Sequence, residues 1–212
     1  MPQDGTTALE EVRAAVARQD WQRAYDVASA APFTDGLAVE ADRLDLLAEA
    51  AWWLGRLDEC ISAREAAYRL YDDLGESRRA GQCAVWLYEH HGFKGHAAIA
   101  GAWLRRARRS LDGDEHCVPY GALLLREAEV AHGQGQLDEA LAVADSVVAL
   151  GRELRSFDLE AEALQTVGRV LIDKGQPEEG FARLDEAMLF AIEGRLGPYS
   201  TGKVYCSLIS AC

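Results

Sequence analysis

Apolar residues recur at three- and four-residue intervals along nearly the whole sequence, the spacing that gathers side chains on one face of an α-helix. Residues 157–172 show it: Phe157, Ala161, Leu164, Gly168 and Leu171 form one stripe, and Glu160, Glu162, Gln165 and Arg169 fall mainly off it. The pattern predicts helices over 7–18, 21–31, 37–54, 57–74, 76–92, 95–110, 117–133, 137–154, 156–174, 177–194 and 199–212. Breaks are expected at Pro32–Gly36, Asp112–Glu115 and Gly194–Pro198. No run alternates apolar and polar residues, so no strand is expected.

The helices repeat. The segments QDWQRAYDVA, GRLDECISAR, GHAAIAGAWL, GQLDEALAVA and GQPEEGFARL begin at Gln19, Gly55, Gly95, Gly135 and Gly175, so the four glycines stand 40 residues apart and the first segment begins 36 before Gly55. Fixed-period similarity of this kind marks a repeat architecture. Each glycine suits the left-handed conformation that ends a helix. Asp58, Asp138 and Glu178 follow near the start of the next helix, where negative charge meets the positive end of the helix dipole. Pro177 stands where a first helical turn tolerates proline. Ala24, Cys60, Ala100, Ala140 and Gly180 supply small side chains where two helices must approach closely. Each repeat therefore reads as helix, glycine turn, helix. The expected fold is all-α: a right-handed α-solenoid of antiparallel helix pairs, about five of them plus a last helix, over a single domain spanning 1–212.

This pattern resembles the tetratricopeptide repeat, whose ideal period of about 34 residues is shorter. The stretch LAEAAWWLGRLDECISAREAAYRLYDDLGE, residues 47–76, is more specifically similar to the tetratricopeptide region of large LuxR-type transcriptional regulators of actinobacteria. GKVYCSLISAC, residues 202–212, is similar to another segment of that region. The resemblance implies an interaction or scaffolding module with sensing or regulatory use, and it brings no catalytic residues. Those regulators end in a LuxR-type helix-turn-helix, and some have an ATPase module upstream; neither is visible here, so DNA binding is not carried over.

Composition narrows the partners. The 212 residues are 49% hydrophobic and 27% charged, ordinary for a globular protein, and net charge is −13. Acidity disfavours nucleic-acid phosphates and anionic membranes, and no apolar run approaches the length of a membrane span. Cys60, Cys83, Cys117, Cys206 and Cys212 are odd in number, widely spaced and free of CxxC, which points to reduced thiols in the cytoplasm. The opening MPQDGTT lacks a basic and an apolar region, so no signal peptide is expected. Val204, Tyr205, Leu208 and Ile209 give the last helix an apolar face with no polar cap after it. Solenoids end on units with a polar outer face, so 199–212 reads as a clipped array, a homodimer or docking contact, or a helix buried on its predecessors.

Four features of the sequence bear on chemistry. Residues 197–203, GPYSTGK, match the start of a phosphate-binding loop, but Val204 replaces the required hydroxyl residue and a helix, not a strand, precedes them. A glycine-proline turn explains them better. His90, His91, His96, His116 and Cys117 offer zinc-ligand types without zinc-ligand spacing, and polar residues around a helix turn are the simpler reading. Arg105, Arg106, Arg108 and Arg109 beside Trp103 form the one dense basic run, either a solvated helix face or a site for an acidic partner. Trp52, Trp53, Trp86 and Trp103 read first as knobs between helices and second as ligand-stacking surfaces. No catalytic triad is legible, so no catalytic, cofactor or metal residue is assigned and the chain is expected to be non-enzymatic. The expected binding surface is a groove lined by the first helix of each pair, with Trp53, Trp86, Tyr88, Glu89, Arg126 and Gln165 as candidate positions for a protein or peptide partner. The alternative is a sensor that closes the same groove on a small metabolite.

Overall fold

The computed structural model describes residues 5–30 and 36–211. Among these residues there are eleven helices and no strand: α1 (Gly5–Ala17), α2 (Trp21–Ala30), α3 (Leu37–Trp53), α4 (Leu57–Asp73), α5 (Ser77–Phe93), α6 (Ala97–Ser110), α7 (Val118–Gly133), α8 (Leu137–Leu154), α9 (Phe157–Asp173), α10 (Pro177–Ile192) and α11 (Pro198–Ala211). Every expected helix is present, with described ends within two residues of the expectation. Ala31, most of the Pro32–Gly36 break and Cys212 lie outside the described residues.

The turns work as the glycine spacing requires. Gly55, Gly95, Gly135 and Gly175 have φ of 72°, 72°, 78° and 80°. The amide of the next residue reaches back to a carbonyl five positions earlier, Arg56 to Ala51, His96 to His91, Gln136 to Ala131 and Gln176 to Leu171, at 2.8–2.9 Å. This bond closes the helix end and satisfies a carbonyl that would otherwise be orphaned. Gly75 (φ 73°) makes the same closure from Glu76 to Tyr71, outside the forty-residue series. Gln19 and Arg155 reach the left-handed conformation without glycine, at φ 58° and 54°.

The chain forms two compact units, residues 1–112 with α1–α6 and residues 113–212 with α7–α11. Within each, a helix packs on its neighbours in sequence, and first helices of successive pairs also meet: α1 with α3, α7 with α9, α9 with α11. The small residues named from the repeat are where close approach occurs: Ala24, Cys60, Ala100, Ala140 and Gly180 are all buried. Gly168 and Gly180 show why. A Cβ on either would come within 2.8 Å of the other's carbonyl oxygen, so α9 and α10 touch backbone to backbone there.

Ala161, Leu164, Gly168 and Leu171 of the α9 stripe are buried and Phe157 is half-buried, but Glu160 and Gln165, expected off the stripe, are buried too. The reason is packing: α9 is flanked by α7, α8, α10 and α11, which cover most of its circumference. A polar residue on such a helix needs a partner rather than water.

Candidate functional site

In the first unit, α3 and α5 bring two ladders of side chains together. Helix α3 presents Asp42, Asp45, Glu49 and Trp52, and α5 presents Arg79, Cys83, Trp86 and His90, each series spaced by three or four residues. Asp42 accepts hydrogen bonds from Arg79, from Arg13 of α1 and, at 2.8 Å, from the Tyr71 hydroxyl of α4. Asp45 accepts from the Arg64 guanidinium of α4 and from Cys83 Sγ at 3.4 Å. Trp52 and Trp86 both stack on His90, with ring centroids 5.0 and 5.9 Å away, and Cys60 Sγ lies 3.5 Å from His90 Nδ1.

Burial sets the ionisation here. It pushes the His90 imidazole down to about 3, helped by the Arg64 and His91 charges, so the ring is neutral near pH 7. It also pushes the Cys60 thiol up to about 11 and Cys83 well above the ordinary thiol value, so neither is a thiolate nucleophile. Burial is the largest single influence on Arg64 and opposes its charge, yet Asp45, Cys83, Cys60 and Glu49 together outweigh it and keep the guanidinium charged. Glu49 is half-buried, and desolvation raises its carboxyl above the ordinary value against the pull of Arg64. The arrangement offers two half-exposed indoles and a half-buried carboxylate, which can stack on and accept hydrogen bonds from an incoming segment.

The second unit repeats one element of this design. Glu162 is the sixth residue of α9, as Asp42 is of α3. It accepts from Arg126 of α7 at 3.0 Å and from Ser200 and Lys203 of α11 at 2.9 and 3.0 Å. Each carboxylate thus receives cations from the first helix before and the first helix after its own. Burial raises the Glu162 carboxyl, but Lys203 and Arg126 outweigh it and hold the pKa below the usual value.

The candidate residues separate on inspection. Trp86 stands on the α3–α5 face, and Tyr88 and Glu89 are half-buried on α5. Trp53 instead stacks on Trp21 of α2, with centroids 5.3 Å apart. Its neighbour Trp52 takes the place beside α5. The spacing Asp45, Glu49, Trp52 carries that signal in the sequence. Arg126 and Gln165 are only 3% exposed, so Arg126 acts through the carboxylates it holds.

The remaining motifs are absorbed by the fold. In GPYSTGK, the Gly197 amide donates to Asp158 at 2.8 Å, and Ser200 and Lys203 bind Glu162, so the segment starts a helix rather than cradling phosphate. His91 Nε2 lies 3.6 Å from Glu65, and His116 Nε2 lies 3.9 Å from Glu153. Among the described residues no group of three or more His, Cys, Asp or Glu is placed to hold a metal. Trp103 is buried, edge-on to Tyr68 at 5.1 Å, a knob between helices. No helix among the described residues is long and apolar enough to cross a membrane.

No known family model and no curated protein sequence matches the chain. Solved structures do. BtubC (BKLC) from P. vanneervenii is 15% identical with a TM-score of 0.64, covering 92% of this chain and 91% of that one. The nearly identical tetratricopeptide-like repeats of a putative kinesin light chain from Podosopora anserina are 16% identical to this chain with a TM-score of 0.59, covering 93% of this chain and 100% of that one. A Rap protein complexed with competence and sporulation factor is 14% identical with a TM-score of 0.72, and this chain covers 64% of it while 98% of this chain is matched. These likenesses establish the fold as a tetratricopeptide-like α-solenoid.

Proposed function

We propose that this chain is a non-enzymatic interaction module that holds a peptide or protein segment on the first helices of its pairs. The carrying observation is the α3–α5 face, where Trp52, Trp86 and Glu49 lie half-buried over a floor in which Asp45 pairs with Arg64 and Asp42 with Arg79. Glu49 itself makes no hydrogen bond or ion pair within the described residues. A Rap protein of the same fold is complexed with competence and sporulation factor, which supports the reading. The net charge of −13 keeps nucleic acid out of it.

The finer proposal rests on sequence likeness in residues 47–76 and 202–212: the module serves a LuxR-type regulator in the cytoplasm, as a single repeat domain. Tyr205 and Ile209 are exposed on α11 and supply a homodimer contact in this proposal. Sedimentation of Ile209→Asp tests that contact, since an unchanged dimer, or a monomeric wild type, removes it.

The test of the main proposal is selection of a random-peptide library on the full chain, followed by anisotropy titration. Selected peptides are expected to lose about tenfold in affinity, roughly 1.4 kcal/mol, on Trp86→Ala and Glu49→Gln, with the folded state intact by circular dichroism. Peptides that bind both variants as well as the wild type overturn it. The half-buried carboxyl of Glu49 favours one alternative, a metabolite sensor, in which small molecules raise the melting temperature and no peptide depends on Trp86.

A further inference from the structure

Residues 90–111 contain five lysines and arginines and no Asp or Glu, in a chain whose net charge is −13. The rest of the molecule therefore carries −18. Four of the five cations, Arg105, Arg106, Arg108 and Arg109, stand in the last half of α6. Arg105, Arg108 and Arg109 are exposed, and Arg106 lies over the Trp103 ring at 4.3 Å.

Pairing sets three of these four arginines, Arg105, Arg106 and Arg109, apart from most arginines of the chain. Elsewhere arginines mostly meet carboxylates, as Arg64 does Asp45 and Arg152 does Glu160 and Glu186. Among the described residues Arg105, Arg106 and Arg109 have no carboxylate partner. The helix dipole accounts for cations in the last turn, where Arg108 and Arg109 stand. It does not account for Arg105 and Arg106, one turn earlier. Like charges at positions i and i+4, such as Arg105 and Arg109, repel one another.

We propose that the basic face of α6 is a docking surface for an acidic peptide segment of a partner protein, separate from the α3–α5 face. Carboxylates one helical turn apart match Arg105 and Arg109, and guanidinium groups bind carboxylates through two parallel hydrogen bonds. The acidic remainder of the chain selects the size of the partner. A narrow peptide reaches the arginines alone, whereas the wider duplex DNA or anionic bilayer also brings its charge toward the rest of the first unit, which carries −9 outside residues 90–111, and charges are felt within about 8 Å at physiological salt.

The experiment titrates a labelled octaglutamate peptide with the 212-residue chain at low and physiological salt. Arg105→Ala/Arg109→Ala is expected to weaken binding at least about tenfold, and Arg105→Lys/Arg109→Lys by less. Arg169→Ala, at an exposed arginine of α9, is expected to leave it unchanged. Circular dichroism verifies that each variant is folded. The proposal is overturned if octaglutamate does not bind at low salt, or if the double alanine variant binds as well as wild type. It is equally overturned if Arg169→Ala weakens binding as much, or if a twenty-base-pair duplex or phosphatidylserine vesicles bind more tightly through the same arginines.

Discussion

His90 is held between Trp52 and Trp86 with Cys60 beneath it, and that enclosure makes it a titration reporter for the first unit. In the unfolded chain the ring gains its proton near pH 6.5, and in the folded chain only near 3. Between those values the unfolded state binds more protons, so this group stabilises the fold above pH 6.5 and loses that contribution as pH falls toward 3. The slope is on the order of 1 kcal/mol per pH unit. Urea unfolding at several pH values from 7 to 5 is expected to show a shallower pH dependence for His90→Gln than for wild type. Parallel curves would refute the neutral, buried state of the ring. Two glycines give a second residue-scale contrast. Gly180→Ala would place a Cβ 2.6 Å from the Gly168 carbonyl oxygen and is expected to cost about 1–3 kcal/mol. Gly202→Ala meets nothing within 4 Å in a helical segment and is expected to stabilise by about 0.5–1 kcal/mol. Thermal melts that move in the same direction for both would contradict the packing described for α9 and α10.

At the scale of elements, the carboxylates Asp42 and Glu162 tie three successive first helices together in each unit. The pairing is specific because Arg126 is almost wholly buried, and a buried charge without its partner is costly. Glu162→Leu alone is expected to destabilise by about 2–3 kcal/mol, since Lys203 is partly exposed and softens the loss. Adding Arg126→Met is expected to restore part of that loss. If the double variant is less stable than Glu162→Leu, measured by chemical denaturation, the hub is not the reason these charges are buried together. The helices themselves were legible from three- and four-residue spacing, and the turns from the glycine period. The hubs were not, because their partners stand 29 to 41 residues apart, and any of 35 acidic residues could have been chosen. The exchange of Trp53 for Trp52 has a similar origin: adjacent residues lie about 100° apart on a helix, so choosing between them requires knowing which neighbour each side faces.

Over the whole molecule, hairpins of one design recur through both compact units, each with helices packed mainly on their sequence neighbours. In the proposal that residues 1–212 act as one repeat domain, nearest-neighbour coupling carries through the array. Scanning calorimetry of the full chain is then expected to show one transition, and two resolved transitions would assign the units separate stabilities. The sequence by itself determined where helices begin and end, that glycine in the left-handed conformation turns the chain, and which small residues permit close approach. These follow from backbone geometry and local periodicity, which act over a few residues. Tertiary structure alone decided which polar side chains are buried and with whom. Glu160, Gln165 and Arg126 are covered because neighbouring helices surround theirs, and no local pattern reports how many sides of a helix are covered.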